Sequence, residues 1–207
     1  MRLARERERL CDIGRRMVET GLVLGTSGNI SVRDGDLVAV SPGGVALDRL
    51  TPESCPVLDM SGQVLEGGSK PSSEVPMHLA LYESTGAAAI VHTHSQNAVV
   101  VSATMSELPA IHYNVMLLGG PVRVAPYATY GTPELAGNVR AALEGRLAAL
   151  MANHGAVAVG ADLEQALEAA RLLEWLCAVY IQARTIGEPR ILSEAELAAV
   201  VERAVRG

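Results

Sequence analysis

Apolar residues recur at helical spacing from the start of the chain, at Leu3, Leu10, Ile13, Met17 and Val18, which predicts a helix over 3–20 ended by Gly21. The period then changes to two. Ile30-Ser31-Val32-Arg33 alternates, Asp34-Gly35 supplies a tight turn, and Leu37-Val38-Ala39-Val40 continues as its partner, so this stretch predicts a hairpin. Residues 56–60 and 63–65 around Ser61-Gly62 predict a second. A loop over 67–74 opens into a helix near 74–84, with Ser73 as its N-cap and Pro76 tolerated in its first turn. The run Ala88 to His94 is apolar and rich in β-branched residues, as in a buried strand, and a helix near 95–103 follows. A region punctuated by Pro and Gly extends to about 133. Beyond it the pattern predicts a helix near 133–144, strands near 147–152 and 156–159, and a long helix near 162–186. Ser193-Glu194-Ala195-Glu196 is a capping box that opens a last helix. No repeat or low-complexity linker interrupts this layout. We expect one α/β domain over residues 1–207, with a largely antiparallel or mixed sheet because the early strands are joined by hairpins.

Composition narrows the function classes. A chain of 207 residues with 49% hydrophobic content can bury one sizeable core. Phenylalanine is absent and aromatics make up 3%, so Leu, Val, Ile and Ala must fill that core. The net charge is -6 and no basic stripe occurs, which argues against a nucleic-acid partner. The apolar runs are too short or too interrupted to cross a membrane. Met1 to Glu6 alternates in charge and lacks the apolar segment of a secretory signal. Cys11, Cys55 and Cys177 are scattered, with no Cys-x-x-Cys pair, as expected of reduced thiols in a cytoplasmic protein.

The strand ending His92-Thr93-His94 carries the most informative chemistry. Side chains two apart on a strand leave the same face, so both imidazoles are placed to grip one ion. His154 follows another apolar strand-like run and precedes Gly155. Any single histidine is most simply a hydrogen-bonded core or surface residue. A same-face pair plus a third at a strand end matches the three protein ligands of a catalytic zinc site, which keeps its fourth position open.

Three segments rich in glycine and hydroxyls could hold a phosphate: Gly25-Thr26-Ser27-Gly28-Asn29, Ser41-Pro42-Gly43-Gly44 and Ser72-Ser73. Glycine lets backbone N–H groups approach an anion, and a helix N-terminus adds a favourable dipole. None matches a nucleotide-binding fingerprint. Glu74, at the predicted helix start, suits either the helix dipole or a place beside the metal as ligand, general base or both. His78 lies four residues on, along the same helical face; it could serve as a further ligand, but packing or a supporting hydrogen bond to a ligand is the expectation.

Taken together, Gly25 to Ser31, Pro71-Ser72-Ser73-Glu74, His92-Thr93-His94 and Asn153-His154-Gly155 closely resemble the class II aldolase/adducin family. Ala110-Ile111-His112-Tyr113 and Ala125 to Thr132 resemble its aldolase branch, and the similarity spans nearly the whole chain. The resemblance implies a three-layer α/β/α sandwich around a mainly antiparallel sheet, assembled as a homotetramer with active sites at subunit interfaces. It implies a Zn²⁺-dependent aldolase, with another divalent transition metal as the alternative. The expected reaction cleaves a ketose 1-phosphate, L-fuculose 1-phosphate or a similar sugar, to dihydroxyacetone phosphate and an aldehyde. By position, His92, His94, His154 and Glu74 would hold the metal, with Glu74 also the catalytic base. Gly28, Asn29, Gly44, Ser72 and Ser73 would cradle the phosphate. Tyr113 would reach in from a neighbouring subunit as the acid.

The sequence departs from that branch in places. Gly43 stands where a threonine hydroxyl is common, so the cradle would lose a donor or borrow Ser41. Tyr130 replaces an expected phenylalanine. Members often extend a further tyrosine-bearing tail beyond the point where this sequence stops, which leaves aldehyde preference open. Same-fold alternatives are a 5-deoxypentulose-phosphate aldolase, an L-ribulose-5-phosphate 4-epimerase, and a sugar-phosphate dehydratase or decarboxylase. The epimerases usually carry aspartate where Glu74 stands, which favours aldol chemistry. A Schiff-base aldolase would need a reactive amine, and Lys70 is the only lysine. A non-catalytic head of the adducin type is expected to lack the histidines.

Overall fold

The computed structural model describes residues 1–206. A nine-stranded sheet runs through it in the order β4-β3-β2-β1-β5-β9-β8-β7-β6. Both predicted hairpins form. Strands β1 (Asn29–Asp34) and β2 (Leu37–Val40) pair antiparallel across Gly35, and β3 (Val57–Asp59) pairs with β4 (Val64–Glu66) across the Ser61-Gly62 turn. The middle strand, β5 (Ala89–Thr93), lies antiparallel to β1 on one side and to β9 (Gly155–Gly160) on the other. Strand β8 (Ala148–Met151) pairs antiparallel with β9 but parallel with β7 (Val122–Ala125). The short β6 (Glu107–Leu108) closes that edge.

Helices cover both faces. On one lie α1 (Ala4–Glu19), α3 (Gln96–Thr104) and α5 (Leu163–Ile186), packed on Val32, Ala89, Val91, Leu150 and Ala158. On the other lie α2 (Val75–Ser84) and α4 (Pro133–Leu143), packed on Val38, Ile90, Ala149 and Val157. Odd and even positions of β5 and β9 thus feed opposite cores, as a strand buried on both faces requires. The arrangement is the expected three-layer sandwich. Its core is aliphatic: Leu10, Ile13, Met17, Ile90 and Leu173 are all at most 2% exposed, and burying each such side chain contributes about 1.5–3 kcal/mol. Arg7 is a buried charged residue away from the candidate site. Its Nε donates to the Cys55 carbonyl at 2.8 Å and its Nη1 to Glu66 Oε1 at 2.7 Å, which ties α1 to the β3–β4 hairpin.

The Pro/Gly-punctuated stretch is more regular than its sequence suggests, with β6, β7 and a 3-10 turn over Tyr113–Leu118. Two-to-six-residue elements are too short to register a period. Helix α6 (Glu194–Arg206) follows the predicted capping box: Ser193 Oγ accepts from the Glu196 N–H at 3.3 Å and Glu196 Oε2 accepts from the Ser193 N–H at 2.8 Å. Helix α2 starts one residue later than expected. Glu74, not Ser73, is its N-cap, and the Glu74 side chain makes no capping bond.

Candidate metal centre and anion cavity

Strand pleating brings the first two histidines together. His92 lies in β5 and His94 one residue past its end, and their ring centroids are 4.8 Å apart. His154 closes the turn from β8 into β9, with its ring 4.9 Å from His92 and 4.8 Å from His94. Two local features allow that turn to press against β5. Asn153 adopts φ 54°, a left-handed conformation that asparagine tolerates better than most residues. Gly155 has no side chain where an added Cβ would stand 2.1 Å from the Thr93 carbonyl oxygen.

The start of α2 supplies the carboxylate. Freed from capping, Glu74 Oε2 lies 2.9 Å from His92 Nε2, and Oε1 lies 3.5 Å from His154 Nε2. One donor atom from each of Glu74, His92, His94 and His154 falls within 4.8 Å of the other three. His92 Nδ1 donates to the Ala156 carbonyl at 2.8 Å, which leaves the Nε2 lone pair aimed at the cluster. That lone pair faces a carboxylate oxygen, itself an acceptor. Two acceptors hold such a distance only with a positive charge between them, a proton or a metal ion. Glu74 Oε1 is buried and has no hydrogen-bond partner. An orphaned carboxylate oxygen beside three imidazoles fits a divalent cation of the zinc type.

The electrostatics agree. Burial pushes the Glu74 carboxyl up, but His92, His154 and the Asn29 amide more than offset it and hold the carboxyl well below its ordinary range. Burial likewise opposes the charged form of His92, yet Glu74 beside it raises its pKa above the usual value. Burial, reinforced by His92 and His154, lowers His94 to about 3. His154 is lowered by burial and then by His92. Without a metal the cluster therefore accommodates one protonated imidazole and resists a second, which leaves the His94 and His154 rings neutral and able to act as ligands.

A cavity of about 480 Å³ opens above these groups. Its wall includes every residue expected to cradle phosphate: Gly28, Asn29, Gly44, Ser72 and Ser73, with Glu74, His94 and His154 at its base. Gly28 takes φ +76°, and an added Cβ would stand 2.8 Å from the His92 carbonyl oxygen, so only glycine lets this loop lie against β5. Gly43 also lines the cavity, but Ser41 does not. The Ser41 hydroxyl is fully buried and accepts from the Ile30 N–H at 3.1 Å, so it cannot stand in for a missing threonine. Lys70 is exposed and off the cavity wall.

Tyr113 does not reach this cavity within its own chain. It lines a shallow apolar cleft with Ala199, Val200 and Arg203 of α6, and its ring stacks on His112 at 4.3 Å. Tyr127 and Tyr130 do line the cavity, although neither is among the expected site residues. They sit in the loop between β7 and α4, where no hydrophobic period marks them. Asn29 Nδ2 donates to Glu74 Oε2 at 2.9 Å, and His78 stands directly behind Asn29, the supporting position its helical spacing suggested.

Residues 8–181 match the family model described as Class II Aldolase and Adducin N-terminal domain. The 5-deoxy-D-ribulose 1-phosphate aldolase of Bacillus thuringiensis serovar kurstaki is 40% identical over 200 residues, covering 95% of this chain and 94% of that protein. The L-fuculose phosphate aldolase of Escherichia coli K12 is 40% identical over 190 residues, covering 90% and 88%. A solved L-fuculose 1-phosphate aldolase superposes with a TM-score of 0.94 at 39% identity, covering 98% and 97%. Shared sequence, shared fold and a histidine–carboxylate cluster at the mouth of the middle strand lead to one assignment: this chain belongs to the class II aldolase and adducin family.

Proposed function

We propose that the protein is a Zn²⁺-dependent aldolase that cleaves a ketose 1-phosphate to dihydroxyacetone phosphate and an aldehyde, acting as one domain over residues 1–207. The observation that carries this reading is the orphaned Glu74 oxygen among three converging imidazoles, at the base of a cavity walled by glycine and serine loops. His92, His94, His154 and Glu74 hold the cation, which supplies Lewis-acid stabilisation of charge developing beside the substrate carbonyl. Gly28, Asn29, Gly44, Ser72 and Ser73 receive the phosphate through backbone N–H groups and short polar side chains.

During cleavage the substrate hydroxyl on the far side of the breaking carbon–carbon bond gives up its proton, and that half leaves as the aldehyde. The electron pair stays with the dihydroxyacetone phosphate half, and Glu74, ionised at rest, takes up a proton from solvent and delivers it to that carbon, which balances the proton the hydroxyl released. Tyr113 of a neighbouring copy exchanges the hydroxyl proton. Its 51% exposure, with Leu117 beside it at 65%, supports a subunit contact there and the homotetramer. Three buried free thiols fit a cytoplasmic setting. Among the described residues no helix is long and apolar enough to cross a membrane.

Two sugars compete as the physiological substrate, since relatives of equal identity are named for L-fuculose phosphate and for 5-deoxy-D-ribulose 1-phosphate. A retro-aldol assay on both, and on L-ribulose 5-phosphate for the epimerase alternative, with and without chelator, separates them. Glu74→Gln should keep most of the metal yet lose about 10²–10⁴ in rate. Parental turnover by that variant would refute Glu74 as the base. Borohydride trapping at Lys70 would replace the metal mechanism with a Schiff base.

A further inference from the structure

Behind the cluster runs a chain of buried polar side chains, of which the reaction above uses only Asn29. Tyr82 OH lies 2.7 Å from Ser31 Oγ, Ser31 Oγ lies 2.6 Å from His78 Nδ1, and His78 Nε2 lies 2.5 Å from Asn29 Oδ1. Asn29 Nδ2 then reaches Glu74 Oε2. Tyr82 and His78 are 1% exposed, Ser31 0% and Asn29 4%. The fold aligns them. Ser31 and Asn29 project from β1 on the face toward α2, and Glu74, His78 and Tyr82 follow one another at four-residue spacing along that helix.

Each proton in this chain can be placed by elimination. Glu74 Oε2 is a carboxylate oxygen and only accepts, so the Asn29 amide nitrogen must be the atom that faces it. Asn29 Oδ1 then accepts from His78 Nε2–H. A neutral His78 with its proton on Nε2 presents a bare Nδ1, to which the Ser31 hydroxyl donates. Ser31 Oγ in turn accepts from the Tyr82 hydroxyl. Every bond points the same way, toward Glu74.

We infer that His78 is a positioning residue of the catalytic site: it is the keystone of a one-way hydrogen-bond chain, Tyr82–Ser31–His78–Asn29, that anchors Glu74 Oε2 and thereby sets the orientation in which the carboxylate meets the cation and the substrate. This deepens the aldolase reading and rests on it. Glu74 Oε2 accepts from Asn29 and also faces His92 Nε2, while Oε1 is the atom without a hydrogen-bond partner. Asn29 has a second N–H, and it lies on the cavity wall. The same chain therefore sets the angle at which that donor meets the phosphate. Partners that orient metal ligands are typically worth 10–100-fold in metal affinity or activity.

The test compares His78→Leu with His78→Gln, which offers an amide N–H near the place of Nε2. Three quantities are measured on each: the Zn²⁺ dissociation constant by competition with a chromophoric chelator, kcat and KM for ketose 1-phosphate cleavage, and Tm. His78→Leu should bind Zn²⁺ at least tenfold more weakly and lose at least tenfold in kcat at temperatures where it is fully folded. His78→Gln should recover most of both. Parental Zn²⁺ affinity and kcat in folded His78→Leu would overturn the assignment, since a packing role predicts a lower Tm and nothing else. Should His78→Leu not fold, Ser31→Ala, which removes the same link one bond further out, decides with the same readouts. Should the parent cleave no ketose phosphate, the aldolase reading falls while the Zn²⁺ ratio still decides the role of His78.

Discussion

Asn29 and His92 are register partners across the antiparallel pair β1–β5, so an amide and an imidazole leave the same face of the sheet side by side. Both address Glu74 Oε2, each at 2.9 Å. The asparagine is needed there as a neutral donor. Asn29→Asp would set a second carboxylate against the first where both side chains are almost fully buried. We expect it to cost about 3 kcal/mol of stability at neutral pH, as for an uncompensated buried charge. Urea unfolding checks this, and an unchanged midpoint would contradict the geometry.

Removing the metal should leave the fold standing and abolish cleavage. Donors contributed by a helix start, a strand end and a turn are already assembled by the two cores. Chelation should therefore erase activity with little change in far-ultraviolet circular dichroism, and Zn²⁺ should restore it. Excess Zn²⁺ at 100 times its dissociation constant should add about 2.7 kcal/mol of stability. In His94→Ala both the stabilisation and the turnover should vanish, as seen by calorimetry and rate.

The position of Tyr113 outside its own cavity makes a mixing experiment decisive. Tyr113→Phe and Glu74→Gln should each be nearly inactive alone. If each site takes its tyrosine from a neighbour, random reassembly of the two variants at equal amounts returns activity in roughly a quarter of the sites. No recovery after mixing and refolding would place the acid elsewhere, with Tyr127 and Tyr130 the next to test.

Acid should destabilise the metal-free protein partly through His78. Burial, aided by His92 and opposed by Glu74, holds its pKa down to about 3 from the ordinary 6.5. The unfolded chain takes up this proton near pH 6.5 while the native one does not. Stability from this group is thus complete above pH 6.5 and is lost as pH falls from there toward 3, at up to about 1.4 kcal/mol per pH unit. His78→Gln lacks that group, so its unfolding free energy should fall less between pH 7.5 and 5. Parallel slopes for the two proteins would mean that His78 protonates normally in the fold.

Much of this site is legible in one dimension. The two-residue strand period suffices to bring His92 and His94 together, and Gly-, Ser- and Asn-rich loops announce a place where backbone N–H groups are exposed. What escapes is whatever depends on neighbours from distant segments. Ser31 reads as an ordinary polar position in an alternating strand and Tyr82 as part of an apolar helix face. Only the register of β1 with β5 and the docking of α2 reveal that they are linked through His78. Ser73 has the chemistry of an N-cap, yet Glu74 takes the position, and its side chain turns to the imidazoles instead of capping the helix. The parallel pairing of β7 with β8 and the seclusion of Ser41 are likewise tertiary outcomes that no local pattern encodes.

The ligand-bearing strand β5 is the fifth of nine, with four strands on either side. Fraying at β4 or β6 leaves it untouched, and slow amide hydrogen exchange should therefore mark Val91 and His92 among the last positions to open. The strand that carries two of the ligands therefore comes apart only when the sheet does, so fraying at the edges of the molecule does not dismantle the site.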